Sequence, residues 1–210
     1  MSYGLYLISS VADGKASGCV VNTLAQVTSK PAKVSIAINK DNFTTQTILK
    51  SGRFVGVSLA QSADMDLIGE FGFKSSADRD KFAAFPCEKD ENGIPYVTAH
   101  TTARFSAKVV DQLDLGSHIL FVGEVTEAEI LSDEEVLTYA YYQKVKKGGT
   151  PKNAPSYKEE TAPAQQPAGG KIKGYQCMIC GYILESDTLP PDFTCPVCGM
   201  GADKFKPIYE

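Results

Sequence analysis

The chain has 210 residues, 43% of them hydrophobic and 22% charged, with a formal charge of -4, which is enough for one sizeable core and a small second module in a soluble globular protein. Basic and acidic residues number 17 and 20 up to Gly170 and 4 and 5 from Lys171 onward, so neither part has the positive excess that binding along nucleic acid requires, and nucleic acid is not an expected partner. The start, MSYGLYLISS, has a brief apolar patch and no basic lead, and no run approaches the ~18 apolar residues of a membrane span, so the expectation is a cytoplasmic protein without membrane contact.

From Gly18 to about Leu131 short strand-like runs alternate with Gly, Pro, Asn and Asp. GCVV is followed by the polar segment Asn22 to Pro31 and then by VSIAIN, in which Val34, Ile36 and Ile38 share one face. FVGVSLA, TTARFSAKVV and HILFVGEVTEAEI continue the pattern with β-branched and aromatic enrichment. The predicted fold is mainly β, an antiparallel sheet closed into a barrel with a few short helices. Thr44 is placed to cap a helix over TTQTILK that ends at Gly52, and Ser62 to cap ADMDLIGEF. Ser132 and Glu135 form a capping box for a third helix, with Val136, Leu137, Ala140 and Tyr141 on one face as far as about Lys146.

The composition then turns to Pro, Gly, Ala and Gln, which predicts a flexible linker over residues 158–171 between a domain of residues 1–157 and a small one of 172–210. The small domain holds Cys177, Cys180, Cys195 and Cys198 as C-x2-C-x14-C-x2-C. Two CxxC turns facing each other make a tetrahedral four-sulfur site, and the glycine after each pair lets backbone N–H groups turn toward the sulfurs. Such a site suits zinc or iron, and the spacing alone leans toward a zinc ribbon. Cys19 and Cys87 lie in apolar sequence and are expected as buried thiols.

No P-loop and no dinucleotide-binding glycine motif is present. Residues 22–31 read either as a long hairpin loop or, together with Asn39 to Thr45 at a helix start, as a two-part cradle for a ring and a phosphate. His118 reads equally as an ordinary strand-start residue.

Two resemblances extend this reading. Gly174-Tyr175-x-Cys177, Cys180-Gly181-Tyr182, Pro190-Pro191-x-Phe193-x-Cys195-Pro196-x-Cys198-Gly199 and Phe205 resemble rubredoxins, with the short gap of the compact module that ends rubrerythrins. The resemblance implies iron on the four cysteines, a centre with no open position that passes single electrons. The N-x-L-x-Q-V-T-x-x-P segment, N-K-x-N-x-T, Ser51-Gly52-x-Phe54, Phe71-Gly72-Phe73-x-Ser75 with Asp80-Lys81-Phe82, and Gly116 to Val125 resemble the flavin reductase-like FMN-binding split barrels, which implies a homodimer with FMN near the subunit interface. Thr23, Leu24, Ala25, Gln26, Val27 and Thr28 would then face the polar edge of the ring, Ser29 or Lys30 would reach toward the phosphate, and Asn39, Lys40 and Thr44 would contact phosphate and ribityl, Lys40 as counter-charge. In that family a Gly-Asp-His segment lies near the flavin and is associated with nicotinamide binding, so His118 is the candidate catalytic residue. Here the segment is Gly-Ser-His, without the acid that would orient the ring.

The order of the two modules resembles the high-molecular-weight rubredoxins. The implied activity is an NAD(P)H-dependent oxidoreductase that sends electrons through FMN and iron to a flavodiiron protein reducing dioxygen or nitric oxide. A flavin is needed between a hydride donor and a one-electron centre because it accepts the pair and releases it singly. The alternatives are a flavin-binding module with a structural zinc ribbon for protein contacts, and a free-flavin reductase.

Overall fold

The computed structural model describes residues 3–146, 149 and 172–209. The chain divides into two compact units, Met1–Tyr142 and Gln143–Glu210. The expected linker, residues 158–171, lies outside the described residues.

In the first unit, strands β1 (Tyr6–Ala12), β2 (Lys15–Val21), β3 (Ala25–Ser29), β4 (Ala32–Asn39), β5 (Arg53–Leu59), β8 (Thr101–Asp114) and β9 (His118–Ile130) form one antiparallel sheet in the order β2-β1-β5-β8-β9-β4-β3. A short hairpin of β6 (Cys87–Lys89) and β7 (Pro95–Val97) stands apart. β1 and β2 are joined by Asp13-Gly14, both at positive φ (52° and 74°), the backbone that a two-residue hairpin of matching twist demands. Bulges at Ser106/Ala107 and Val109/Asp111 break the β8–β9 ladder and bend it. The sheet curls far enough that Ile8 and Cys19 from one end share a core cluster with Val34, Ile36 and Ile38 from the other, closed by Ile48, Phe54 and Phe121. The alternation of β4 is as the sequence predicts, with Val34, Ile36 and Ile38 buried.

The helices depart from expectation in instructive ways. α1 (Phe43–Ser51) is capped by Asn42, whose Oδ1 accepts the Thr44 N–H at 2.9 Å, and ends at Gly52 in the left-handed region (φ 64°). α2 (Met65–Phe73) is capped by Asp64, which accepts from Leu67 N–H at 2.8 Å, while Ser62 Oγ lies 3.0 Å from His100 Nδ1. The third helix is only α3 (Tyr139–Lys144). Its predicted first turns are extended instead, because the ends of β1 and β5 bind that backbone: Leu5 N–H donates to Leu137 O (2.9 Å), Leu137 N–H to Leu59 O (2.7 Å) and Gln61 N–H to Glu135 O (2.8 Å). Pairing with a sheet outweighs a local capping box, and Ser132 Oγ donates to Thr101 O. Cys19 is buried as expected, but Cys87 is exposed, because all three residues of β6 face solvent.

Close approach requires glycine at Gly123 and Gly56 in the barrel strands: a Cβ on Gly123 would meet the Phe54 ring at 2.7 Å, and one on Gly56 the Phe105 ring at 2.4 Å. Gly123→Ala is expected to destabilise the barrel by about 1–3 kcal/mol through overpacking, read as a lower denaturant midpoint.

Lys81 is 2% exposed and makes no ion pair among the described residues; its ammonium donates to Gly18 O (2.9 Å) and Phe71 O (3.4 Å). Burial lowers its pKa from 10.5 to about 8. Above that value the unfolded chain holds a proton that the folded chain has lost, so the Lys81 contribution to stability rises with pH. Burial raises the Cys19 thiol from 9.0 to about 11, which acts in the opposite sense above its ordinary value. Between about pH 8 and 9 the wild type should therefore gain stability relative to Lys81→Met, measured by denaturant midpoints of both proteins.

Candidate functional sites

The second unit is built on a three-stranded sheet of β10 (Ile172–Cys177), β11 (Ile183–Leu184) and β12 (Phe205–Tyr209) in the order β11-β10-β12. Cys177 closes β10 and the other three cysteines sit in turns. The two CxxC turns repeat one hydrogen-bond pattern. Gly181 N–H donates to Cys177 O and Gly199 N–H to Cys195 O, both at 2.9 Å, while Cys177 N–H donates to Tyr182 O and Cys195 N–H to Met200 O, both at 2.8 Å. Gly181 and Gly199 take positive φ, 82° and 74°, as a chain reversing directly after the second cysteine requires.

All four Sγ atoms lie within 4.8 Å of one another, with Cys177 to Cys198 at 3.6 Å and Cys180 to Cys195 at 3.4 Å. A tetrahedral ion with bonds of about 2.3 Å to sulfur has sulfur–sulfur edges of about 3.8 Å, so the cage fits one such ion. The cysteines are 0–5% exposed. Burial pushes the Cys180 and Cys198 thiols up, Cys198 to about 12, against the backbone N–H groups of Tyr182 and Met200. At Cys195 burial is outweighed by N–H groups of Cys198 and Val197, and the thiol is lowered. Amides aimed at the sulfurs favour thiolate, and a bound cation completes the shift. Four protein sulfurs leave no position for an exogenous ligand. The Phe193 and Phe205 rings meet edge to face at 5.3 Å in the same unit.

In the barrel the structure brings several predicted residues to one end of β4 and β9. Asn39 lies opposite His118, and Lys40 N–H donates to Ser117 O at 3.0 Å. Lys40 Nζ is 2.6 Å from Asp114 Oδ2, and this hydrogen bond, with the Gly116 N–H, holds the Asp114 carboxyl below the usual carboxylate range. Asn39 Oδ1 accepts the Asp41 N–H and its carbonyl accepts Thr45 Oγ1–H. Thr23 Oγ1 donates to Ala37 O (2.7 Å) and accepts from Ala37 N–H (3.2 Å), so the chain enters β3 beside this group. His118 Nδ1 is 2.9 Å from Ser117 Oγ, and its Nε2 is buried without a partner. Along the outward positions of the two strands Ser35, Ala37, Leu120 and Val122 are half-buried, a low platform beside a polar corner that holds the Lys40–Asp114 ion pair. That combination fits a planar ring carrying a phosphate.

Other predicted residues are placed differently. Leu24 packs on the barrel core. Ala25, Gln26, Val27, Thr28 and Ser29 form the exposed edge strand β3 rather than a loop, pairing along β4 until Ser29 faces Ala32. Ser29 is therefore about 23 Å from Asn39 along the strand and does not join the corner within one chain. Thr44 is fully buried, with its N–H taken up by Asn42 and its Oγ1 without a hydrogen-bond partner among the described residues. The sequence reading missed Asp114, which pairs with Lys40 across 74 residues, a distance that no local pattern spans. It also left the outward residues of β4 and β9 unassigned, although their alternation was visible.

Residues 1–149 match the family model "Flavin reductase like domain" and residues 175–206 match "Rubrerythrin, rubredoxin-like domain". The chain belongs to the flavin reductase-like family, with a rubredoxin-like domain at its C-terminal end. It is 39% identical to the high molecular weight rubredoxin of Moorella thermoacetica over 99% of this chain and 96% of that protein. It is 44% identical to the ferric-chelate reductase (NAD(P)H) of Archaeoglobus fulgidus over 76% of this chain and 94% of that one. Among solved structures, flavoredoxin from Methanosarcina acetivorans shares the fold at a TM-score of 0.56 and 22% identity, covering 61% of this chain and 68% of that one. Among the described residues no helix is long and apolar enough to cross a membrane.

Replacing Cys195 by Ser removes one sulfur from a closed set. Iron retention should fall by more than the ~10–100-fold that outer-shell partners of a metal site cost, measured as metal per chain after dialysis against a chelator.

Proposed function

We propose that the chain is a flavin–iron oxidoreductase that takes electrons from NAD(P)H through FMN to iron held by Cys177, Cys180, Cys195 and Cys198, and delivers them to a separate acceptor, a flavodiiron oxygen or nitric oxide reductase. The observation that carries this reading is a buried four-sulfur cage in the same chain as a flavin reductase-like barrel. Its likeness to a high molecular weight rubredoxin and to a ferric-chelate reductase that uses NAD(P)H supports it. Bound flavin supplies the exchange between a hydride pair and single electrons, and iron among four sulfurs supplies a one-electron carrier.

The residues of this chain have separate tasks. Lys40 provides the cation for a single phosphate and Asp114 holds it in place, which supports FMN. Asn39 and the Thr23 turn border the ring, and Ala37, Leu120 and Val122 support its face. The amides of Tyr182, Val197, Cys198 and Met200 stabilise charge on the sulfurs. The exposed edge β3, with Val27 49% exposed, and the exposed Leu113 and Leu115 at the β8–β9 tip support a homodimer in which a second copy covers them. Residues 158–171 join residues 1–157 to 172–210 in this reading, and reduced thiols suit the cytoplasm.

Under anaerobic conditions NADH or NADPH should bleach both flavin and iron–thiolate absorption in the full-length protein. Cys177→Ala should keep flavin bleaching, lose the iron band and reduce the flavodiiron acceptor only at background rate. Zinc without iron after iron-replete expression, or flavin bleaching with the iron band unchanged, would contradict the proposal.

A further inference from the structure

We propose that Ser117 sets the hydrogen-bonding polarity of His118: it holds the neutral ring with its proton on Nε2, making Nε2–H a donor to a carbonyl oxygen of a ring bound at the β4–β9 end of the barrel. The choice of ring rests on the flavin reading above. The assignment of the tautomer rests on this chain alone.

Ser117 Oγ lies 2.9 Å from His118 Nδ1 and makes no other side-chain hydrogen bond among the described residues. The Ser117 carbonyl receives the Lys40 N–H at 3.0 Å, and Asp114 Oδ1 receives the Gly116 N–H at 2.8 Å, so the turn that presents the hydroxyl is held on both sides. A hydroxyl can donate or accept, but an imidazole nitrogen lone pair is the better acceptor of the two groups. The Nε2–H form is also the one a neutral histidine side chain favours in water. Both preferences place the hydroxyl proton on the Nδ1 lone pair and leave the ring proton on Nε2. A carboxylate at this position would do the reverse, since it only accepts and would draw the ring proton to Nδ1. Asp114, the nearby acid in the turn, is committed to Lys40 and Gly116.

His118 Nε2 is buried and unpartnered, at the corner where Asn39 and His118 are paired strand residues and the Lys40 N–H binds the adjacent Ser117 carbonyl. A buried N–H without an acceptor is unfavourable until one arrives. Both an isoalloxazine and a nicotinamide carboxamide carry a carbonyl oxygen that meets this requirement. Ser117 is thus a positioning residue, and its effect is to convert His118 from a lone-pair acceptor into a donor.

The test is long-range proton–nitrogen NMR of the full-length protein with ¹⁵N-labelled histidine at neutral pH. Flavin-free wild type should show Nε2 protonated and Nδ1 bare. Ser117→Ala should give a mixture of tautomers, and Ser117→Asp should move the proton to Nδ1. Addition of FMN should shift the Nε2–H proton if the isoalloxazine is the acceptor; a shift only on adding NAD+ to the FMN-loaded protein assigns the carboxamide. Wild type protonated on Nδ1, a tautomer unaltered in Ser117→Ala, or an Nε2–H signal unmoved by both ligands while absorbance reports bound FMN would overturn the inference. Failure of FMN to bind at all, with the Nε2–H form intact, would overturn the flavin reading and its ring as acceptor, and leave the role of Ser117 in setting the tautomer standing.

Discussion

Strand β4 pairs with β9 in one register, Lys33 against Glu124 at one end and Asn39 against His118 at the other. Because side chains alternate with a period of two, that register sends Val34, Ile36 and Ile38 into the core and Ser35, Ala37 and Asn39 outward. Slipping it by one residue would expose the isoleucines and bury the asparagine. The same pairing puts His118 beside the turn that holds Lys40, so the core and the candidate flavin corner are two faces of a single ladder. Residues mounted on paired strands are placed more narrowly than residues on free loops. Asn39 and His118 are thereby placed by the ladder itself.

The second unit depends on a different constraint. Among the described residues its sheet has three short strands, and its buried apolar side chains besides the cysteines are Val197 and Phe205. A segment this small does not bury enough surface to offset its chain entropy. The four sulfurs, closed on one another and approached by backbone amides, supply the missing cross-link once they share a cation, so folding of the tail and binding of its metal are one equilibrium. The closed set that makes the ion a staple also bars other ligands, which restricts the site to structure or electron transfer. Its presence behind a flavin reductase-like barrel is what selects electron transfer.

Much of this was legible in the residue order. The four ligands, the inward face of β4, the end of α1 at Gly52 and the mainly β class rest on spacings of a few residues, and local geometry acts over those distances. The family resemblance assigned Asn39 and Lys40 to phosphate and ribityl and His118 to the neighbourhood of the flavin, and the pairing of β4 with β9 is what brings the three to one end of the ladder. The first turns of the third helix were misread because Ser132 and Glu135 form a sound local signal that the ends of β1 and β5 override. Asn22 to Pro31 looked like a loop because its polar residues conceal an edge strand that buries neither face.

By itself the sequence determined which atoms can hold a metal and which strand face is apolar, since both depend on neighbours in the chain. Only the tertiary structure decided that Asp114 restrains Lys40, that Thr44 is fully buried, and that His118 keeps one nitrogen against Ser117 and the other buried and unpaired. Those outcomes depend on contacts made when distant strands come into register, and spacing along the chain carries no record of them.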